Sequence, residues 1–141
     1  MSFFFSFIVP FYNSDKTIVE TIKSTLDTKL SKNEVIIIDD GSKNKSIKKI
    51  ENLKKKFKNS LVLIKNNTNQ GPGVSRNKGI VKARGKYLIF LDSDDKILRN
   101  SLAKIKREIE KINFPDLILG MYRKENFPFS NKLFFDIKKK N

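Results

Sequence analysis

Four short apolar runs, each stopping at a polar cluster and each followed by a helical pattern, constrain this chain more than any other feature. The plainest is Val35-Ile36-Ile37-Ile38, β-branched throughout, which ends abruptly at Asp39-Asp40-Gly41-Ser42. An unbroken run of that kind marks a strand covered on both faces, as in a parallel sheet, and the polar turn lies at its carboxyl end. Phe3 to Val9, Leu61-Val62-Leu63-Ile64 and Tyr87-Leu88-Ile89-Phe90-Leu91 repeat the pattern, and Pro10 is expected to turn the first strand out of the sheet. Between the runs, apolar residues recur at helical spacing. One helix is expected from a Ser14 or Asp15 cap to about Lys29, a second over Asn44 to Lys58, a third over Val74 to Ala83 closed by Gly85, and a fourth over Leu98 to Ile112. Leu117-Ile118-Leu119 reads as a fifth strand. Strands alternating with helices give an α/β fold, a three-layer α/β/α sandwich with a mostly parallel sheet. Its expected extent is residues 1–120, with residues 121–141 as a basic, aromatic tail.

Ligands of open α/β sheets bind outside the carboxyl ends of the strands. Three strand ends here carry conspicuous polar groups: Pro10-Phe11-Tyr12-Asn13, Asp39-Asp40-Gly41-Ser42 and Asp92-Ser93-Asp94-Asp95. The chain has no Cys and no His, which excludes a Ser-His-Asp triad, a thiolate centre and any His-ligated zinc. A metal must be held by oxygen and be a hard cation, Mn2+ or Mg2+. No Gly-x-Gly-x-x-Gly run or Walker loop occurs, so phosphates are held another way.

Asp92, Asp94 and Asp95 crowd three carboxylates into four positions. They serve either as ligands to a divalent cation that docks a diphosphate, or as caps opposing a helix dipole. Asp39 and Asp40 are open to two readings as well, as hydrogen-bond acceptors for a base or ribose or as turn and cap residues. Tyr12 offers a ring for stacking or simply edges a strand. Arg76, in the stretch Asn69-Gln70-Gly71-Pro72-Gly73-Val74-Ser75-Arg76-Asn77-Lys78-Gly79, is a bidentate fork for a diphosphate or a surface cation.

In this order, the four segments Pro10 to Asn13, Asp39 to Ser42, Asn69 to Gly79 and Leu91 to Asp95 resemble the family 2 glycosyltransferases of the GT-A fold. The resemblance covers roughly residues 4–120. It implies an inverting transfer of sugar from a nucleoside diphosphate sugar, usually UDP-linked, to a polysaccharide, lipid-linked or other cell-surface glycan acceptor. It further implies that Tyr12 stacks on the base, Asp40 bonds the base, Arg76 lies near the diphosphate, and Asp92 and Asp94 form the Asp-x-Asp that meets ribose and metal. Pro10, Asp39 and Ser93 complete the expected donor-binding set. Family members run on well beyond this point to supply an acceptor face and a general base. Over Phe114 to Asn141 the only acidic residues are Asp116, Glu125 and Asp136, in no pattern that identifies a base. The expected fold is therefore a shortened GT-A domain, and the alternative function is a catalytically silent nucleotide-sugar-binding module.

Thirty Lys plus Arg against fifteen Asp plus Glu leave a net charge of +15, which attracts phosphates or an anionic surface. The lysines are not interleaved with a nucleic-acid motif, which argues against nucleic acid. Phe127, Phe129, Leu133, Phe134, Phe135 and Ile137 alternate with lysines, a pattern fit either for an anionic membrane or for covering a core edge. The N-terminal apolar run stops at Pro10 and lacks a basic leader, so the expected location is cytoplasmic, with peripheral contact at the inner face of the cytoplasmic membrane.

Overall fold

A computed structural model describes residues 3–14, 16–26, 33–43, 46–98 and 100–116. Strand β1 (Phe3–Phe11), helix α1 (Ile18–Leu26), β2 (Asn33–Asp39), α2 (Ser46–Phe57), a 3-10 turn (Lys58–Ser60), β3 (Leu61–Lys65), α3 (Pro72–Lys82), β4 (Gly85–Phe90) and α4 (Ser101–Lys111) follow in order. The expected fifth strand at Leu117 to Leu119, the Asp15 cap and the aromatic tail lie outside the described residues. The chain divides into two compact units, residues 1–103 and 104–141, and the sheet belongs to the first.

All pairings in the sheet are parallel, with strand order β3-β2-β1-β4. The β1 to β2 and β2 to β3 crossovers run in one direction and the β3 to β4 crossover returns in the other. Right-handed connections therefore put α1 and α2 on one face and α3 on the other, the three-layer GT-A arrangement. Every residue of β2 is buried, as its β-branched run requires. On the α3 face, Ile8, Ile36 and Ile38 form a core cluster bordered by Val62, Ile64 and Ala83. Helix α3 sits so close that a Cβ on Gly79 would fall 2.5 Å from Cγ2 of Ile8, which excludes any larger residue without repacking.

Pro10 corrects an expectation. It remains inside β1, in register with Ile38. Asp40 N–H bonds the Phe11 carbonyl on the β2 side, whereas Leu91 N–H bonds the Ile8 carbonyl on the β4 side. Even-numbered β1 residues thus direct their backbone groups toward β4, whose pairing ends at Ile8 with Phe90. The N–H that proline lacks points where no partner strand remains.

Helix α3 begins at Pro72, two residues before the expected start, because a proline at the first helical position gives up no bond and has its φ already set. Ser14 does not cap α1 with its hydroxyl, which donates instead to the Tyr12 carbonyl at 3.2 Å. In the second unit, α4 closes with Phe114 N–H on the Ile109 carbonyl and Asn113 N–H on that of Glu110, with Asn113 at φ 58°. These are the paired bonds of a Schellman ending.

At the amino edge of the sheet, Glu34 is fully buried. Its carboxylate accepts from Ser6 Oγ and Arg84 N–H, both at 2.6 Å, and from Arg84 Nε at 3.0 Å and Nη2 at 2.7 Å. One carboxylate thereby ties β1, β2 and the α3–β4 connection together.

Candidate functional site

Parallel strands deliver all four following loops to the same edge of the sheet. The order reverses at β1, which has β2 on one side and β4 on the other, so the crevice outside the carboxyl ends of β1 and β4 is the topological switch point. The expected site residues gather around it in two groups.

The first group surrounds Asp40, which is 3% exposed. Its Oδ1 accepts from Asn66 Nδ2 at 2.8 Å and Gln70 N–H at 2.9 Å, and its Oδ2 accepts from Gly71 N–H at 2.8 Å. Ser75 supplies a further side-chain bond. Burial alone would push this carboxyl up, but the bonds from Asn66, Gln70, Gly71 and Ser75 outweigh it and hold it below the ordinary Asp value. A carboxylate has about four lone-pair sites. The loop at residues 66–71 takes up most of them, so a base N–H would meet Asp40 only by displacing one of these donors.

Asp39, also buried, accepts from Ser42 N–H at 2.9 Å and so stabilises its own turn. Gly41 allows that turn its φ of 80°, and a Cβ there would lie 2.9 Å from the Thr68 carbonyl carbon. Asn13 N–H bonds Ser42 Oγ at 3.0 Å, and Asn13 Oδ1 accepts from Lys43 N–H at 3.1 Å, which docks the β1 loop on the β2 turn. Tyr12, half exposed at 49%, stands on that loop. Pro10 stays in the strand beneath it.

The second group holds Arg76 and the acidic cluster. Arg76 Nη2 bonds Asp92 Oδ1 at 2.7 Å, an ion pair with Asp92 61% and Arg76 33% exposed. A short turn joins Asp95 N–H to the Asp92 carbonyl. Burial, then the charges of Asp94 and Asp92, raise the Asp95 carboxyl above its ordinary value. Helix α1 and Thr17, which directly precedes it, hold the loop. Thr17 and Thr21 both donate hydroxyls to the Ser93 carbonyl at 2.9 Å, Ser93 Oγ donates to Ser14 Oγ at 2.9 Å, Ser24 Oγ accepts from Ile97 N–H at 3.0 Å, and Lys96 pairs with Glu20.

Oxygen donors from Asp92 and Asp94 match a hard divalent cation. Among the described residues no three acidic side chains converge into a complete metal cage.

The sequence pattern did not single out Thr17, Thr21, Ser24, Asn66, Ser75 or Lys78. Asn66 was the most accessible of these to sequence reasoning, since it is the first polar residue beyond β3, at the same edge as the other motifs.

A family signature described as Glycosyl transferase family 2 matches residues 6–135. The chain belongs to this family. It is 44% identical over 99 residues to an uncharacterized glycosyltransferase of Haemophilus influenzae, covering 70% of this chain and 39% of the relative. It is 35% identical over 117 residues to the poly(ribitol-phosphate) beta-glucosyltransferase of Bacillus spizizenii, covering 82% of this chain and 18% of the relative. The crystal structure of S. aureus TarS in complex with UDP superposes with a TM-score of 0.77 at 31% identity, covering 91% of this chain and 38% of TarS. The chain thus spans well under half the length of each of these relatives. Among the described residues, no helix is long and apolar enough to cross a membrane.

Proposed function

We propose that this family 2 chain binds a UDP-linked sugar in the crevice between the β1 and β4 loops, and that the sugar is transferred with inversion to a cell-surface glycan acceptor. The observation that carries the reading is the Arg76 to Asp92 pair beside Asp94, which sets a guanidinium fork and two carboxylates on facing elements at the switch point. TarS, with the same fold, was crystallised with UDP, which supports a uridine donor. The relative from Bacillus spizizenii uses a poly(ribitol-phosphate) acceptor, which supports a polymeric acceptor for this chain.

In this reading Tyr12 stacks on the uracil, and Asp40 builds the wall behind it by holding the 66–71 loop. Arg76 turns its fork to the diphosphate, and Asp39 and Ser93 hold the two turns in place. Asp92 and Asp94 would hold Mn2+ or Mg2+, which when bound would neutralise charge on the diphosphate. The chain's own residues bind, orient and balance charge at the leaving group, and the site lies on the cytoplasmic side. Peripheral contact with an anionic membrane is consistent with the charge of +15.

Calorimetric titration of UDP with and without Mn2+ tests the reading. Mn2+ should tighten UDP binding about tenfold or more in the wild type and leave it unchanged in Asp94→Ala. Equal affinity with and without metal in the wild type would remove the donor-site assignment.

A further inference from the structure

Lys78 lies on the second turn of α3 and is half-buried. It donates to Asn66 Oδ1 at 2.7 Å and to Gln70 Oε1 at 2.8 Å. No carboxylate pairs with it among the described residues, so a charged donor is spent on two neutral amides. Those amides stand near the two ends of one loop. Asn66 is 7% exposed, its own N–H bonds the Asp39 carbonyl at 2.8 Å, and its Nδ2 bonds Asp40. Gln70 and Gly71 complete the ring with their N–H groups on Asp40. Between the two clamps, the Thr68 backbone presses on Gly41, in the turn that docks Asn13.

We infer that Lys78 is a positioning residue for base recognition, clamping the 66–71 loop through Asn66 and Gln70 so that Asp40, the Asp39 to Ser42 turn and the Tyr12 loop form one rigid wall. The inference rests on the donor-site reading and adds a division of labour to it. Lys78 acts on the end of the crevice that meets uracil, while Arg76 and the acidic turn act on the diphosphate. The physical reason is connectivity. Every bond of Lys78 leads into the loop at residues 66–71, whereas the acidic turn is held by α1 through Thr17, Thr21 and Ser24. Removing the ammonium strips two amide oxygens of a charged donor and leaves the loop ends joined only through Asp40, a looser clamp. A wall that must be ordered on binding costs affinity for the base it would otherwise meet preformed.

The test compares UDP with inorganic pyrophosphate, each titrated in the presence of Mn2+, on the whole chain. Lys78→Met should weaken UDP about tenfold and leave pyrophosphate within about twofold, Lys78→Arg should recover most of the loss, and Gln70→Ala should show a smaller loss with the same split. Gln70→Ala leaves α3 untouched, so it decides the matter if Lys78→Met fails to fold. Equal weakening of both ligands, or unchanged UDP binding in Lys78→Met and Gln70→Ala, overturns the positioning role while the donor site stands. A wild-type chain that binds neither ligand overturns the donor-site reading, and this inference with it.

Discussion

The sheet handles negative charge in opposite ways at its two edges. At the amino edge Glu34 is fully buried and meets four donors, two of them from one guanidinium fork. At the carboxyl edge the Asp92 side chain pairs, among the described residues, with Arg76 alone, and Asp95 is raised by burial and by its acidic neighbours. A carboxylate that serves only the fold finds its donors within the chain, because an unpaired buried charge is costly. In the proposed reading, the carboxylates of the acidic turn stay exposed because a bound cation would bring the missing charge. Asp40 lies at the carboxyl edge yet is satisfied like Glu34, and in the proposed reading this contrast separates the residues that build the site from those that meet its contents.

The largest expected effect breaks the amino edge. Arg84→Met leaves the Glu34 carboxylate buried without its fork and should destabilise the protein by about 3 kcal/mol in urea unfolding. UDP affinity of the folded fraction should stay within about twofold. A loss of nucleotide binding at full stability would dissolve the division between the edges.

Asp40→Asn comes next, at about 2 kcal/mol, because the amide replaces a charged acceptor facing several donors. The pH dependence has a definite sign. The folded-state value of Asp40 lies below the unfolded one, so its contribution is fully present above the ordinary Asp range and is lost as pH falls through the depressed value. The acid limb of a melting-temperature series should flatten in the variant. An unchanged acid limb would show that the ring of donors does not favour the charged form.

Arg76→Gln sharpens the comparison at the open edge. Arg76 holds the Asp92 carboxylate that the proposed cation would use, so Mn2+ alone should bind about threefold tighter to the variant. UDP in the presence of Mn2+ should bind less tightly, because the fork is gone. Weaker binding of Mn2+ alone would mean that Arg76 supports the cation rather than standing in for it.

The smallest effect belongs to Asp95→Asn. The folded-state value of Asp95 is raised, so wild-type stability declines as pH rises from the ordinary Asp range through the raised value. The variant should lose that slope, and saturating Mn2+ should remove it from the wild type, both visible in melting temperatures. A slope that persists in Asp95→Asn would assign it to other carboxylates.

The order of strands and helices was legible because Val35 to Ile38 and its counterparts are unbroken apolar runs that only a covered parallel sheet accommodates. The crevice was legible for the same reason, since parallel strands must deliver their polar ends together. Long-range pairings were not. Glu34 directly precedes an apolar run and Arg84 comes fifty residues later, and nothing local marks them as partners. Thr17, Thr21 and Ser24 look like ordinary polar positions of an amphipathic helix until the Ser93 loop lies against them. Pro10 misled because its effect depends on where β4 stops pairing, a fact of register rather than of residue type. The partners of Asp40 escaped notice because three of its donors come from a loop whose length and composition identify only a turn.

A co-crystal with UDP and Mn2+ tests the central claim most directly. The account predicts metal density on Asp92 and Asp94, the diphosphate against Arg76, and uracil on the Tyr12 ring, with the Glu34 and Asp40 hydrogen bonds unchanged. UDP bound elsewhere, such as on the lysine-rich face of α2, with the acidic turn empty of metal, would contradict it.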